Sequence, residues 1–171
     1  MALKEYRRKR QFQKTPEPPP TKEVAQPITQ VVQQTPLSFV VQLHAATRLH
    51  FDLRLELDGV FQSWAVPRGP SLNPTDQRLA VHVENHPLEY GGFEGIIPSG
   101  NYGAGTVMIW DRGTFTARCV NGEQPPDVHA DAVRKGFRHG HITIVMAGHR
   151  LKGEFALIHT RGKQWLLVKK R

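Results

Sequence analysis

The sequence predicts an all-β protein, built as an antiparallel barrel or sandwich of short strands. Runs rich in Val, Ile, Phe and Trp recur from residue 37 onward, and Gly, Pro, Asn and Asp separate them. Only Asp131–Phe137 has the pattern of a short helix. Many short strands joined by tight turns favour a barrel or a sandwich over folds that alternate strands and helices.

The first 36 residues differ from the rest and form a basic, proline-rich arm. Residues 1–14 hold six basic residues and one acidic residue, and residues 15–36 hold six prolines. Proline fixes φ and removes a backbone donor, which excludes regular helix or central strand there. We therefore predict an arm or extended strap over residues 1–36 and a β domain over residues 37–171. A disordered linker is the alternative for the proline-rich stretch.

From residue 37 the chain divides into strands separated by turn signals. Turns are expected at Asp58-Gly59, at residues 111–113 and at residues 161–163. The candidate strands are Phe39–Leu43, His50–Leu57, Phe61–Val66, Arg78–Glu84, Thr106–Trp110, Gly113–Arg118, His141–Met146, Glu154–His159 and Trp165–Lys169.

Composition narrows the class of partner. The net charge is +8, and basic residues also crowd residues 150–171, so two basic ends flank a histidine-bearing middle. Such ends favour a polyanion such as nucleic acid, with solubilising tails as the alternative. The single Cys119 excludes an internal disulfide and a thiolate metal cluster. Because no apolar run reaches about 18 residues and no signal peptide is evident, a cytoplasmic location is expected.

The strand that begins at His50 carries a chemically unusual polar face. Residues alternate, so Phe51 and every second residue after it share one face, while His50, Asp52 and Arg54 share the other. His44 ends the preceding strand, and a turn would bring it back beside His50. Two imidazoles and a carboxylate suit Mn²⁺, Fe²⁺ or Zn²⁺ with open positions, and the planar Arg54 fork matches a phosphate.

The strand that begins at Arg78 offers a second polar face. The same alternation assigns Arg78, His82, Glu84 and His86 to one face, with Tyr90 just beyond. Phosphoryl transfer needs positive charge near the equatorial oxygens and a proton donor for the leaving group. A protonated His86 can be that donor, since its ordinary pKa lies near 6.5.

The two polar faces together favour a metal-dependent enzyme that cleaves phosphate esters, and three alternatives remain. Each run alone is also consistent with an ordinary solvent-facing strand. Two histidines and a carboxylate on a barrel also describe non-haem iron oxygenases. A basic barrel that holds nucleic-acid ends without catalysis is the third. Arg54 and Arg78 beside the metal ligands favour phosphate chemistry over the oxygenase.

Several longer motifs together resemble the phosphoesterase domain of bacterial DNA ligase D. They extend over nearly the whole chain and occur in the family's order. The motifs are residues 44–56 (HAATRLHFDLRLE), 63–71 (SWAVPRGPS), 86–90 (HPLEY), 93–98 (FEGIIP), 103–107 (GAGTV) and 110–113 (WDRG), preceded by 6–10 (YRRKR) and 15–18 (TPEP).

The resemblance implies a β-barrel, so we predict an antiparallel β-barrel of short strands with one short helix and an extended proline-rich N-terminal strap. It also implies a Mn²⁺-dependent enzyme, with other divalent transition metals as alternatives. Family members trim DNA or RNA–DNA 3′ ends at primer–template junctions in non-homologous end joining, beside ligase and polymerase activities. They remove a 3′-terminal ribonucleoside and then the 3′-phosphate.

The resemblance also implies residue roles. The implied metal ligands are His44, His50 and Asp52. The implied catalytic residues are His86, Arg54, Tyr90, Arg78 and Glu84. The implied substrate-binding residues are Ser63, Arg68, Arg10 and Glu17.

Two positions depart from the family pattern. Gln11 stands where the family often has an acidic residue, which weakens the expectation of an N-terminal contribution and of the diesterase step. Arg68 stands where many members have lysine. The positive charge is kept, but a planar guanidinium carries it in place of an ammonium group. We expect an excised domain or a stand-alone enzyme, because the sequence ends at Arg171 without a polymerase or ligase domain.

Overall fold

The computed structural model describes residues 2–21, 36–118 and 128–171, and its strands form a closed antiparallel β-barrel. The strands are β1 (Leu37–Ala45), β2 (Leu49–Leu57), β3 (Val60–Val66), β4 (Arg78–Pro87), β5 (Gly95–Ile97), β6 (Gly105–Arg118), β7 (His141–Gly148), β8 (Lys152–Arg161) and β9 (Gln164–Lys169). Eight of them close a ring in the order β1-β2-β3-β4-β9-β8-β7-β6, because β6 pairs back with β1. The predicted barrel is confirmed.

The β2–β3 hairpin follows directly from the sequence. Leu57 pairs with Val60, so only Asp58 and Gly59 form the connection. Both have positive φ, 52° and 78°, and a two-residue turn of this kind matches the twist of its strands. Asp tolerates that conformation and Gly adopts it without steric cost. The turn fixes the β2–β3 register, and the register decides which residues face the same side.

The core fills the barrel with side chains from one face of each strand. On β1 and β2 these are Phe39 and Val41 opposite Leu55 and Leu53, all almost fully buried. Helix α2 (Val128–His139) packs against β6 and β7, and its Phe137 ring stacks on Trp64 at 5.5 Å between centroids. The predicted helix Asp131–Phe137 lies inside α2, so that prediction is confirmed.

The turn predicted at residues 111–113 is wrong, because β6 is one strand of 14 residues. A bulge lies there: Val41 pairs with Asp111 and Gln42 with Ile109, which leaves an extra residue on β6. Asp111 is buried and accepts hydrogen bonds from the backbone N–H groups of His149 and Leu151. The Asp111 side chain therefore anchors the β7–β8 connection, and residues 111–113 do not form a turn.

Three further elements lie outside the sequence prediction. The short strand β5 pairs with the start of β6, and helix α1 (Lys4–Arg8) lies in the basic arm. A 3₁₀ helix also covers Leu88–Gly92. Residues 22–35 of the predicted strap lie outside the described part, so the division into an arm (1–36) and a barrel (37–171) stays a prediction. None of the described helices is long and apolar enough to cross a membrane.

Candidate active site

A group of buried polar side chains lies on the face of β1 to β4 that points away from the core. It surrounds a cavity of about 260 Å³, to which the N-terminal arm also contributes. Buried polar groups are normally hydrogen-bonded, so each of these side chains is expected to have a defined partner. The buried members from the barrel are Gln42, His44, Asp52, Arg54, Ser63 and His86.

The β1–β2 pairing brings the predicted metal ligands together. His44 pairs directly with His50, and Gln42 pairs with Asp52. Because neighbours across an antiparallel pair share a face, all four side chains point to the cavity side. The two imidazole rings lie 4.8 Å apart between centroids. The histidine at the end of one strand thus folds back beside the next, as the sequence predicted.

The hydrogen bonds of the two imidazoles determine which nitrogens carry protons. His50 Nδ1 lies 2.9 Å from the carbonyl oxygen of Arg48, and His44 Nε2 lies 2.7 Å from that of Gly103. Carbonyl oxygens only accept, so these nitrogens are the donors in the neutral rings. The remaining nitrogens then turn lone pairs toward Asp52, at 3.5 Å from His44 Nδ1 and 3.4 Å from His50 Nε2.

Three acceptor atoms facing one another fit a divalent cation. The ligand atoms of His44, His50 and Asp52 all lie within 4.8 Å of one another. Metal-ligating histidines commonly donate their other N–H to a carbonyl, which is the arrangement at both rings here. Two nitrogens and one carboxylate oxygen suit Mn²⁺, Fe²⁺ or Zn²⁺ and leave positions open for a substrate oxygen.

Arg54 lies beside this group and is almost fully buried. Its Nε donates to Gln42 at 2.7 Å, one terminal nitrogen donates to Ser63 at 2.9 Å, and the other lies 3.4 Å from Asp52. Its guanidinium carbon lies 4.8 Å from the centre of the Tyr90 ring. Burial would raise the pKa of Asp52, but the charge of Arg54 and both imidazoles outweigh it and lower that pKa.

The second wall of the cavity depends on an irregularity in β4. Phe61 pairs with His86 and Ser63 with Val83, so β4 has one more residue than β3 between these pairs. The extra residue reverses the alternation along β4. Glu84 and His86 therefore face the cavity together with Val83.

The bulge corrects the prediction that Arg78 and His82 share the face of His86. Before the bulge, the even-numbered residues of β4 point to the core: the His82 ring packs 5.1 Å from Trp64. Arg78 has the same parity, and it donates to Asp76 at 3.0 Å instead of lining the cavity. The simple alternation fails because it assumes pairing without a bulge.

His86 is buried and held between arginines. Its Nδ1 lies 3.0 Å from the carbonyl oxygen of Glu84, and its Nε2 lies 3.3 Å from a terminal nitrogen of Arg10. The carbonyl must accept and Arg10 must donate, so the ring is neutral with its proton on Nδ1. Burial, together with the charges of Arg54 and Arg10, holds the pKa of His86 well below 6.5.

The N-terminal arm completes the site. Arg10 forms ion pairs with Glu17 at 2.9 Å and with Glu84 at 3.3 Å, and all three side chains are almost fully buried. Tyr90 donates its hydroxyl hydrogen to Glu17 at 2.9 Å, and burial raises the pKa of that phenol. Tyr6 is fully buried, 5.0 Å from the His86 ring between centroids. The arm thus contributes charge and packing to the cavity.

The structure brings most of the predicted site residues together, with two exceptions. Ser63 contacts Arg54, whereas Arg68 is exposed in the turn after β3 and Arg78 lies on the core side. Sequence reasoning missed Gln42 and Tyr6, because each lies in a stretch that was read as apolar strand or basic tail. The pairing of Gln42 with Asp52 is the signal that could have identified Gln42 as a site residue.

Comparison with known proteins identifies relatives of the whole chain. Residues 42–159 match the family model described as the DNA ligase D 3′-phosphoesterase domain. The multifunctional non-homologous end joining protein LigD of Pseudomonas aeruginosa is 47% identical over 98% of this chain. The multifunctional non-homologous end joining DNA repair protein LigD of Mycobacterium tuberculosis is 45% identical over 96%.

The match covers only part of these relatives. The chain spans 18% of the Pseudomonas protein and 19% of the Mycobacterium tuberculosis protein. The LigD of Mycolicibacterium smegmatis, 43% identical over 96% of this chain, is matched over 20% of its length. The likeness therefore concerns one domain of each longer protein.

Proposed function

The chain belongs to the DNA ligase D 3′-phosphoesterase family, and on that premise we propose that it hydrolyses phosphate esters at the 3′ ends of nucleic acid strands with a divalent metal ion. The observation that carries the proposal is the buried His44–His50–Asp52 group with Arg54 beside it. Metal ligands and a guanidinium on one wall can bind two oxygens of the same phosphate.

His44, His50 and Asp52 would hold the metal, and we propose Mn²⁺ as the ion. A divalent ion held there would supply Lewis-acid chemistry, polarising a phosphoryl oxygen and offsetting the charge that develops during displacement. The carbonyl oxygens of Arg48 and Gly103 keep both histidines in the tautomer that offers a lone pair. Asp52 stays ionised because its pKa is lowered.

Arg54 has donors to spare for a phosphate. A guanidinium carries five N–H groups, and its contacts with Gln42, Ser63 and Asp52 use three of them. Among the described residues, the two other N–H groups, which are on the terminal nitrogens, have no hydrogen-bond partner. Because the side chain is already fixed by its partners, little conformational entropy is lost when a phosphate binds. We assign Arg54 to binding and stabilising the transferred phosphoryl group.

His86 and Tyr90 supply and hold protons. His86 is neutral before a substrate binds, and a phosphate dianion nearby favours its protonated form. That change turns His86 into a donor for the leaving group. Tyr90 keeps its proton because its pKa is raised, and Glu17 orients it. Glu84, Arg10 and Ser63 hold these groups in position, while we assign no catalytic step to Arg78 or Arg68.

The substrate class follows from the family and the basic arm. We propose DNA or RNA–DNA 3′ ends at primer–template junctions as substrates, non-homologous end joining as the process, and the ligase and polymerase of that system as partners. We also propose a cytoplasmic location. The names of the relatives and the basic residues of the arm support this reading.

The test uses primer–templates that end in a 3′-phosphate or in one 3′-ribonucleotide, with and without Mn²⁺. We expect both ends to be trimmed only with metal. The His50→Ala variant should lose trimming, whereas His149→Ala, which alters an exposed histidine of the β7–β8 connection, should keep it. Trimming that persists after chelation or in His50→Ala would refute the metal assignment.

Two other results would favour the alternatives. Binding of strand ends without any turnover would indicate a non-catalytic module. Iron- and oxygen-dependent turnover of a small organic acid would indicate an oxygenase.

A further inference from the structure

A second cavity, of about 280 Å³, lies beside the candidate active site and shares Tyr102 with it. One side of this cavity comes from the basic arm, through Lys9, Gln11 and Lys14. The other side comes from the loop that contains Ser99 and Asn101. We call it the arm cavity.

Tyr102 and Lys9 form the wall between the two cavities. Lys9 Nζ donates to the Tyr102 hydroxyl at 3.3 Å and to Glu84 Oε2 at 3.1 Å, and it lies 4.7 Å from the Tyr102 ring centre. The guanidinium of Arg10 lies 5.4 Å from the same ring. Tyr102 is nonetheless 48% exposed. An accessible aromatic ring flanked by two cations therefore stands at the boundary.

The arm cavity has the charge of an anion site. In the part of the chain that the structure describes, its lining residues include two lysines and no acidic side chain. Glu84 offsets the charge of Lys9, so Lys14 carries the unbalanced charge. Within the residues that the structure describes, the ammonium group of Lys14 makes no hydrogen bond or ion pair. The side chain of Asn101 donates to two backbone oxygens, one of them that of Lys14, which ties the loop to the arm.

We propose that the arm cavity binds the phosphodiester and nucleotide immediately upstream of the 3′ end that enters the active site. Lys14, with Lys9, would contact the upstream phosphate, and Tyr102 would support the adjoining base or sugar. Aromatic rings beside a basic groove bind single strands regardless of sequence, because every base has a face that can stack. Phosphate contacts position a strand in register, which is what a 3′-end enzyme needs.

The proposal rests on the proposed function, and it explains a feature that the metal pocket does not use. A pocket for one phosphate needs only His44, His50, Asp52 and Arg54. The shared ring of Tyr102 instead connects that pocket with a basic cavity that extends it toward the arm. A substrate with an upstream nucleotide can occupy both cavities, and a substrate with a single phosphate can occupy only one.

The experiment compares two substrates in the Lys14→Ala variant. One is a 3′-phosphorylated single-stranded oligonucleotide on the order of ten nucleotides long; the other is a nucleoside 3′-monophosphate, which lacks the upstream phosphodiester. We expect kcat/KM for the oligonucleotide to fall about threefold to tenfold, and its log–log salt slope to become shallower by about 0.7, the change for one phosphate contact on a single strand. The value for the monophosphate should not change.

Lys152→Ala is the matched control. Lys152 is an exposed lysine on β8, which lies opposite β2 in the strand ring, so its loss lowers the net charge equally without touching either cavity. An equal loss in both lysine variants would reduce the effect to general electrostatics and overturn the proposal. So would an unchanged oligonucleotide rate in Lys14→Ala, or an equal loss on both substrates.

A binding measurement separates this proposal from the proposed function. If the wild-type protein hydrolyses neither substrate, fluorescence anisotropy with the labelled oligonucleotide decides on the arm cavity. Weaker binding by Lys14→Ala than by Lys152→Ala supports it. Equal binding by the two variants overturns it. The proposed function fails only if the 3′-phosphorylated primer–template is also left intact.

Discussion

The two faces of strand β2 are both buried, yet they are built on different principles. Leu53 is 0% exposed and Arg54 is 2% exposed, and they are neighbours in sequence. Leu53 packs among other apolar side chains, where size and shape decide the fit. Arg54 is held by three named partners, and a buried donor or acceptor left without one costs free energy. Burial thus serves stability on one face and position on the other.

The largest effect is expected from a substitution on the polar face of β2. Arg54→Lys keeps the charge but loses the planar fork that reaches Gln42 and Ser63. We expect kcat/KM for a 3′-phosphorylated oligonucleotide to fall by about 10²–10³-fold, the usual loss for one donor that stabilises transition-state charge. Steady-state kinetics with Mn²⁺ measure it. A rate within a few-fold of wild type would show that the fork is dispensable.

A substitution on the other face should act on stability. Leu53→Ala removes buried methyl groups and should lower the free energy of unfolding by about 3 kcal/mol. The folded fraction should keep its kcat/KM, because Leu53 points away from the cavity. Leu53→Met is the matched control, and its cost should stay below about 1.5 kcal/mol. Denaturant unfolding measures both, and a large change in kcat/KM for Leu53→Ala would mean that the two faces are coupled.

Metal binding should depend on the polar face of β2 and not on the apolar one. Mn²⁺ at a hundred times its dissociation constant should stabilise the wild-type protein by about 2.7 kcal/mol. The thermal shift should survive in Leu53→Ala and disappear in Asp52→Asn, because Asp52 faces the two imidazoles whereas Leu53 lies in the core. Thermal unfolding with and without Mn²⁺ provides the measurement. Equal shifts in both variants would place the metal elsewhere.

The smallest expected effect concerns pH. The pKa of His86 on the polar face and that of His82 on the core face both lie below 6.5, first because of burial. Between pH 6.5 and the folded pKa, the unfolded chain binds a proton that the folded chain does not. Each histidine should therefore lower stability by at most about 1.4 kcal/mol per pH unit as the pH falls below 6.5.

Substituting each histidine singly by glutamine shows which of them causes this pH dependence. Without metal, His82→Gln and His86→Gln should each flatten the dependence of unfolding free energy on pH below 6.5. The pKa of His50 is raised by Asp52, so its contribution has the opposite sign and is lost as the pH rises above 6.5. A slope that neither variant changes would contradict the burial argument.

The regular parts of the site were predictable from sequence, and the irregular parts were not. The face of His50, Asp52 and Arg54 was predicted because β2 pairs without a bulge on both sides. Arg78 was misplaced because the extra residue in β4 exchanges the two faces, and no single residue marks that bulge. Register irregularities depend on pairing between strands, which a one-strand pattern does not contain.

The N-terminal arm shows a second limit to what the sequence alone can predict. Its basic run predicted affinity for phosphate, but not that Arg10 is buried against Glu17 and Glu84. Nor did it predict that Tyr6 would be fully covered. The contact of Arg10 with Glu84 connects residues 74 positions apart, so local composition cannot indicate it. The family resemblance named Arg10 and Glu17, and the structure gives each a partner.

The docking of the described arm (residues 2–21) against β4 also sets where this domain can be trimmed. A shortened protein that starts at residue 37 retains every strand of the barrel. It would leave the rings of His86 and Tyr90 open to solvent on the side where Tyr6 now lies. Circular dichroism could therefore report a native sheet in a protein whose reaction chamber has lost one wall. The arm residues that line and cover the cavity lie before the first strand, and a boundary drawn from the β-barrel alone would leave them out.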